Sequence, residues 1–237
     1  VYICGGYDGT NRLNDMWEFN ISRGYWTQKA PFPGTERNFA SAFSIGQKGY
    51  VGLGYTTTDK YKRDFYCYDK ATDTWTQIAD FGGSGRHSAV SFAIGGKGYV
   101  GSGNDGNYLK DFYSYDPSSD TWTQIASIGG TKRQGASSFI MGNDVYVVGG
   151  VNNASYVNDF WVYDHTTDTW TEKRKICDVT SESYDDDYNI VRAYGVTFVM
   201  GSKAYYTCGE SSSILNSTWE YDPYSDLWTE KTGMEGS

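Results

Sequence analysis

The sequence predicts an all-β protein built from repeated antiparallel sheets of four short strands. One cassette, DFYSYDPSSDTW at residues 111–122, has counterparts throughout the chain. In every copy a turn acid or amide precedes a Trp by six residues, and the five pairs are Asn20 with Trp26, Asp69 with Trp75, Asp116 with Trp122, Asp164 with Trp170, and Asp222 with Trp228. Successive Trp residues lie 49, 47, 48 and 58 positions apart. Self-similarity at a period of about 20–50 residues indicates a repeat architecture.

A second set of positions keeps the same register. An Arg follows the cassette Trp by eleven residues in three copies and by twenty-two in the fourth, giving Arg37, Arg86, Arg133 and Arg192. Six residues after each Arg lies a Phe, and seventeen residues after it lies a Gly. The longer interval before Arg192 predicts an inserted loop within residues 173–191.

The copy at residues 86–125 shows how each repeat divides into strands. We predict strands at 88–94, 99–103, 112–115 and 121–125, the first of them rich in small residues. A two-residue turn separates the first two strands in each complete copy: Gly46-Gln47, Gly95-Gly96, Gly142-Asn143 and Gly201-Ser202. Gly supplies the positive φ that such hairpin turns require. The Thr and Gln of the last strand suit an exposed sheet edge.

Five copies of strands two to four are visible, but only four first strands. Tyr2 aligns with Tyr50 and Tyr99, so residue 1 falls inside a second strand. The sequence therefore predicts four complete repeats and one that lacks its innermost strand.

These features resemble the kelch family of β-propellers. The resemblance is carried by the double glycines Gly5-Gly6 and Gly149-Gly150, by the aromatic–Asp pair, and by the Trp six residues later. It implies one kelch-type β-propeller domain over residues 1–237, made of four-stranded antiparallel blades. Two interpretations of the ring stay open: five blades completed by a strand outside this sequence, or a piece of a larger propeller, for which the resemblance implies six or seven blades. We favour the second, in which the chain is part of a larger, multidomain protein or assembly.

Charge and hydropathy exclude two classes of partner. The net charge is −9, and no basic patch of the kind that binds phosphate backbones is visible, so we expect no nucleic acid. No run of eighteen apolar residues occurs, so we expect no membrane-spanning helix. The cassettes look more like those of secreted or surface kelch proteins of bacteria than like ubiquitin-ligase adaptors, which implies an extracellular, cell-surface or periplasmic location.

The variable loops predict a binding face. In antiparallel blades the loops after strand two and after strand four lie on one side, and loops on rigid scaffolds carry function. Our candidate ligand-binding residues in these loops are Tyr7, Tyr55, Asp105, Tyr108, Asn152, Tyr156 and Glu210. Arg37, Arg86, Arg133 and Arg192 are further candidates, because guanidinium groups bind carboxylates with two hydrogen bonds. The alternative, which we favour for the arginines, is a repeated structural hydrogen bond.

No cofactor is expected, with one open alternative. Asp185, Asp186 and Asp187 lie in the inserted loop, and clustered carboxylates are ligands that Ca²⁺ prefers. A solvated acidic loop explains them as well, and we favour it.

Catalysis has little support in the sequence, since only two His are present and no nucleophile motif occurs. We therefore predict a non-catalytic module that binds a protein or a glycan. The alternatives are a sugar-active kelch enzyme, such as a mutarotase or an oxidase, and a spacer domain without a ligand. An enzyme predicts a carboxyl group with a raised pKa in a polar pocket, whereas a binding module predicts exposed aromatic side chains.

Overall fold

The computed structural model describes residues 1–177 and 188–234, and it confirms an all-β chain: these residues form strands, turns and loops, with no helix among them. The chain divides into two compact units. The first contains residues 1–100, 104–107 and 113–124, and the second contains residues 101–103, 108–112 and 125–237. Five blades follow one another along the chain, each an antiparallel sheet whose strands neighbour each other in sequence order.

The first unit holds blades 1 and 2 and most of blade 3. Blade 1 has three strands within the described residues, and blades 2 and 3 have four. Their strands are β1 (Tyr2–Tyr7), β2 (Arg12–Asn20) and β3 (Tyr25–Lys29); β4 (Ser41–Ile45), β5 (Lys48–Gly52), β8 (Phe65–Asp69) and β9 (Thr74–Ile78), with the small loop hairpin of β6 (Tyr55–Thr56) and β7 (Lys60–Tyr61); and β10 (Val90–Ile94), β11 (Lys97–Gly101), β12 (Phe112–Asp116) and β13 (Thr121–Ile125).

The second unit holds blades 4 and 5, both with four strands. Their strands are β14 (Ser137–Met141), β15 (Asp144–Val148), β18 (Phe160–Asp164) and β19 (Thr169–Glu172), with the loop hairpin of β16 (Val151–Asn152) and β17 (Ser155–Tyr156); and β20 (Val196–Met200), β21 (Lys203–Thr207), β22 (Thr218–Asp222) and β23 (Leu227–Lys231).

Most predicted boundaries are confirmed. The four Gly-initiated turns separate the first and second strands of blades 2 to 5, and the predicted fourth strand at 121–125 coincides with β13. The second strand of blade 3 was predicted at 99–103, but β11 begins and ends two residues earlier. It ends at Gly101 because Ser102 and Gly103 adopt positive φ angles of 53° and 91°, which turn the chain away. The small hairpins β6–β7 and β16–β17 were not predicted.

The repeated cassette joins neighbouring blades by a pair of hydrogen bonds. In the first unit the indole N–H of Trp122 in blade 3 donates to the carbonyl of Ala79 in blade 2 (3.1 Å). The amide of Ala79 donates in turn to the carboxylate of Asp120 (2.9 Å), which also accepts the hydroxyl of Tyr115 (2.8 Å). Both backbone groups of one residue are thus satisfied by the cassette of the next blade, as partly buried backbone requires.

The same arrangement recurs in blades 2 and 4. Trp75 and Asp73 of blade 2 bind the carbonyl and amide of Ala30 in blade 1 (2.9 and 3.0 Å). In the second unit Trp170 donates to the carbonyl of Ala126 at 3.0 Å, and the amide of Ala126 donates to Asp168 at 3.0 Å. This Asp lies at positive φ in blades 2, 3 and 4, a conformation that short polar side chains tolerate better than most.

Candidate functional site

The repeated arginines lie inside their blades. In the first unit Arg37 is buried, and its guanidinium donates to both carboxylate oxygens of Asp64 (2.6 and 2.7 Å) and to the carbonyl of Leu53 (2.9 Å). The ring of Phe32 packs against the guanidinium, 4.7 Å from its carbon. Arg86 is likewise buried, against the ring of Phe81 at 4.9 Å.

In the second unit the pattern continues with different partners. Arg133 forms a buried ion pair with Asp159. Arg192 has Ser217 at the corresponding place, donates to its carbonyl and hydroxyl (both 2.9 Å), and reaches the carbonyl of Cys208 at 3.0 Å. The contacts of Arg37, Arg133 and Arg192 are of the kind that the structural alternative predicts, and the ligand-binding alternative stays a prediction.

The residue two positions after each Arg adopts a constrained backbone conformation, and in blades 2 and 5 it is an exposed aromatic residue. Phe39 (φ 54°), Ser88 (53°), Gly135 (65°) and Tyr194 (56°) all adopt the left-handed region. This region costs an L-residue with a side chain about 1–2 kcal/mol. Phe39 is nevertheless 51% exposed, so neither burial nor backbone preference accounts for a large aromatic side chain there. Strain of this kind at an exposed aromatic residue points to function.

Phe39 belongs to a group of aromatic side chains in the first unit, which we call the aromatic patch: Tyr7, Phe39, Tyr55, Tyr61 and His87. His87 lies at its centre. Tyr61 stacks on the imidazole at 5.6 Å with the planes 14° apart, and Tyr55 meets it edge-on at 5.8 Å. The ring of Phe39 lies 5.7 Å from the imidazole on a tilted plane.

Arg12 connects Tyr7 to this group. Its guanidinium carbon lies 4.8 Å from the centroid of Tyr55 and 5.8 Å from that of Tyr7, which is 53% exposed. Hydrogen bonds to the side chains of Asn38 (3.0 Å) and Thr57 (2.8 Å) hold the guanidinium in place. The patch therefore presents flat rings beside a fixed positive charge, an arrangement suited to cation–π and stacking contacts.

A backbone bridge places Asp105 next to the patch. His87 exchanges amide hydrogen bonds with Asn104 (both 3.0 Å), and Asp105 follows directly in the chain. Partial burial alone would raise the pKa of Asp105, but hydrogen bonds from Ser84 and Asn107 outweigh it and lower the pKa. Burial lowers the pKa of His87, so the imidazole is neutral at pH 7, and Arg12 and Asp105 add a positive and a negative charge next to the patch.

A family comparison agrees with the repeat. A family model described as the KLHDC2/KLHL20/DRC7 Kelch-repeats domain matches residues 1–132 and 83–237. The chain belongs to the Kelch-repeat family. No curated protein matches the sequence significantly. The fold is thus a kelch-type β-propeller, a scaffold that typically serves as a protein-interaction module.

The kelch loops of the second unit carry the remaining sequence candidates. Asn152 and Tyr156 lie in the hairpin β16–β17, Tyr108 lies in the loop before β12, and Glu210 exchanges backbone hydrogen bonds with Ala193 (both 2.9 Å). All four are half-buried. Within the described part of the chain, no hydrogen bond or ring contact joins any two of their side chains. The structure thus brings together Tyr7 and Tyr55, with Asp105 beside them, but it does not assemble a comparable group in the second unit.

Residues 1–177 and 188–234 contain no group of three His, Cys, Asp or Glu side chains that could hold a metal ion. Asp185, Asp186 and Asp187 lie outside the described residues, so the Ca²⁺ alternative stays a prediction. No helix in the described residues could cross a membrane.

Sequence reasoning missed Arg12, Phe39, Tyr61 and His87 as members of a site. A signal was present: the two positions after each repeated Arg vary strongly, reading Asn-Phe, His-Ser, Gln-Gly and Ala-Tyr in blades 2 to 5. Variation at fixed positions of an otherwise constant repeat marks the residues that the blade itself does not need.

Proposed function

We propose that this kelch propeller is a protein-binding module whose main contact surface is the aromatic patch of the first unit. The observation that carries the proposal is the exposure of Phe39 on strained backbone, where its ring contacts His87 at the centre of the patch. Aromatic residues and Arg are enriched in the energetically dominant parts of protein interfaces. Their rings bury large apolar area at little cost in side-chain entropy, because few bonds rotate.

The partner segment should carry complementary chemistry. Tyr7 and Phe39 offer apolar faces, Arg12 attracts a carboxylate or a third ring, and the neutral His87 adds no charge of its own. We therefore expect a peptide segment with an aromatic or large aliphatic anchor and an acidic residue nearby. A glycan is the competing ligand, since sugars also stack on aromatic rings that have polar neighbours.

The carboxyl groups support binding over catalysis. A sugar-active enzyme requires an acid whose pKa is raised towards the working pH. Among the described residues, every carboxyl group whose pKa is shifted has it lowered by hydrogen bonds or nearby cations; Asp105, beside the patch, is one of them.

The test is a selection of displayed peptides on the folded chain, followed by affinity measurement of the enriched peptides. We expect Phe39→Ala and Tyr7→Ala each to lower the affinity for the selected peptides at least about tenfold, which corresponds to about 1.4 kcal/mol in binding free energy. The matched control is Tyr224→Ala, because Tyr224 is almost fully exposed but lies in the β22–β23 turn, outside the patch. This variant should bind as the unaltered chain does.

Two results would contradict the proposal. Peptides that bind equally well to the Phe39→Ala, Tyr7→Ala and unaltered chains would place the contact surface elsewhere. A glycan array that gives patch-dependent binding, with no patch-dependent peptide, would assign the patch to a sugar ligand. The extracellular or surface location stays a proposal, supported by resemblance of the cassettes alone.

A further inference from the structure

We propose that blade 5 binds a small zwitterionic carboxylate, of the free amino acid class, in a polar cavity where the ligand carboxylate takes the place of an acid that the other blades carry. The cavity belongs to the second unit, whereas the aromatic patch belongs to the first. This site is therefore independent of the proposed protein-binding function.

The first observation is a missing acid. An Asp lies eleven residues before the cassette Trp in blades 1 to 4, but blade 5 has Ser217 at this position. The Asp carboxylate binds the repeated Arg in blades 2 and 4. Arg192 of blade 5 is buried, and its hydrogen bonds end on the hydroxyl of Ser217 and on backbone carbonyls. No carboxylate of the described residues forms an ion pair with Arg192, so its charge lacks the partner that buried charges usually have.

The second observation is a pair of unused hydrogen-bond donors beside that charge. The oxygen of Ser217 accepts from Arg192, but its own hydroxyl proton has no acceptor among the described residues. The indole N–H of Trp219 is buried and also lacks an acceptor within the described part of the chain. In blade 1 the corresponding Trp17 donates to Asp15, two residues before it, at 2.7 Å. One ligand carboxylate beside Ser217 can therefore accept both donors, and the charge of Arg192 attracts it.

The third observation is a cavity of about 440 Å³ at these donors. This volume is within the range of about 300–1,000 Å³ that is typical of ligand clefts. Ser217 and Trp219 line the cavity, and Asn189 and Ser211 add further polar groups to its wall. The counterpart of Trp219 in blade 4, Trp161, also lacks an acceptor, but that blade keeps the acid. The site is thus defined by the missing acid and the cavity together, and not by the indole alone.

Glu230 determines what else the ligand carries. Its carboxylate lines the same cavity, and Glu230 pairs with Trp219 across strands β22 and β23. It is exposed and forms no ion pair with a described residue. Burial lowers the pKa of Arg192, and the nearby negative charge of Glu230 opposes this effect. The cavity therefore offers a positive charge to the ligand carboxylate and a negative charge to an ammonium group.

The strand pairing limits the size of the ligand. Directly paired residues of antiparallel strands have Cβ atoms about 4.5–5.5 Å apart. A ligand that reaches both Trp219 and Glu230 must hold its two charged groups close together, as an α-amino acid does. A dianion lacks the ammonium group and would be repelled by Glu230.

The experiment titrates the whole chain with each proteinogenic amino acid in turn by isothermal titration calorimetry. At least one of them should bind saturably, with one molecule per chain. Acetate carries the carboxylate alone and ethylamine the ammonium alone, so each should bind at least about tenfold more weakly than that amino acid, because one charge-assisted contact is lost. In ¹⁵N NMR spectra an indole N–H signal should move downfield on binding, and Trp219→Phe should remove that signal.

Variants of the two charged ends test the assigned contacts. Ser217→Asp restores the acid of blades 2 and 4, which occupies the place of the ligand carboxylate, so it should lower the affinity at least about tenfold in a folded chain. Glu230→Gln should lower the affinity for the amino acid about tenfold but should not lower that for acetate. Glu172→Gln is the matched control, because Glu172 pairs with Trp161 at the same position of blade 4, and it should leave both affinities unchanged. Circular dichroism verifies that each variant is folded.

Three outcomes would overturn the proposal. The first is that no amino acid binds saturably up to millimolar concentration. The second is amino-acid binding that Ser217→Asp leaves unchanged, which would place the ligand elsewhere. The third is acetate that binds as tightly as the best amino acid in the unaltered and Glu230→Gln chains alike, which would make this a simple anion site. None of these results affects the peptides selected on the aromatic patch, so the two proposals fail separately.

Discussion

The replacement Trp122→Ala tests whether the cassette Trp stabilises the propeller by joining neighbouring blades. Its ring lies 5.0 Å from the centroids of Phe65, Phe81 and Tyr115, and its indole donates to the carbonyl of Ala79. Truncating a packed Trp to Ala costs about 3–5 kcal/mol in the free energy of unfolding. Trp122→Phe keeps much of the packing but loses the hydrogen bond, so it should cost about 1 kcal/mol from that bond, plus a smaller packing loss.

The chain contains its own control for this measurement. Trp26 is the cassette Trp of blade 1, but it is 45% exposed, and Phe19 is its ring partner at 4.9 Å. Trp26→Ala removes the same atoms from the same place in the repeat, and among the residues that the structure describes the ring partner of Trp26 is Phe19 of its own blade. We expect it to cost less than about 1 kcal/mol, as surface substitutions usually do.

Urea unfolding followed by circular dichroism gives the three free energies, with the slope of each transition as a test of unchanged unfolding behaviour. Equal losses for Trp122→Ala and Trp26→Ala would refute the reasoning, because the cost would then come from the cassette turn and not from the joint between blades. A loss near zero for Trp122→Ala would mean that the packing around Phe65 and Phe81 does not depend on it.

Three further predictions follow from the contacts of single residues. Phe39→Gly should raise the free energy of unfolding, measured with urea, by about 0.5–1 kcal/mol, because it releases the strain of the left-handed backbone. The same variant should lower the affinity for peptides selected on the aromatic patch. A destabilised variant would contradict the strain argument. Asp159→Ala should lower the free energy of unfolding by about 3–5 kcal/mol in the same assay, because it leaves a buried guanidinium without its counter-ion. Asp64→Ala should lower it less, because the Asp64 side chain is more exposed. The opposite order of the two losses would contradict this reasoning. Burial raises the pKa of Tyr50 and Tyr146 to about 12, so the folded state keeps protons that the unfolded state loses near pH 10. The melting temperature should therefore fall as the pH rises from about 10 to 12. A constant melting temperature over this range would contradict the prediction.

The repeat made most of the fold predictable from sequence. Hairpin turns such as Gly95-Gly96 were visible because a positive φ restricts the residue type, and the restriction recurs at a fixed position. The role of the cassette Trp was harder to predict from the sequence. Its indole binds the residue four positions after the preceding cassette Trp, as Trp122 binds Ala79, and because the partner is a backbone carbonyl, the side chain at that position does not reveal the bond.

The arginine column makes the contacts that a structural role predicts. An Arg recurs in blades 2 to 5, and Arg37 and Arg133 are held by Asp64 and Asp159 of their own blades, while a ligand-binding role for the column stays a prediction. Asp64 and Asp159 each lie eleven residues before the cassette Trp, so the acid recurs at a fixed position of the repeat, as the Arg does. Arg192 completes its hydrogen bonds with Ser217 instead, so the position tolerates loss of the acid as long as the donors find oxygen acceptors.

The same logic locates function where the repeat breaks its own pattern. Gly135 satisfies the left-handed position two residues after the Arg at no steric cost, but blade 2 places Phe39 there, and its ring joins His87 and Tyr55 at the surface. Neither stability nor backbone preference selects a Phe at that position. The aromatic patch is therefore proposed at a place where the repeat carries a residue that its own blade does not need.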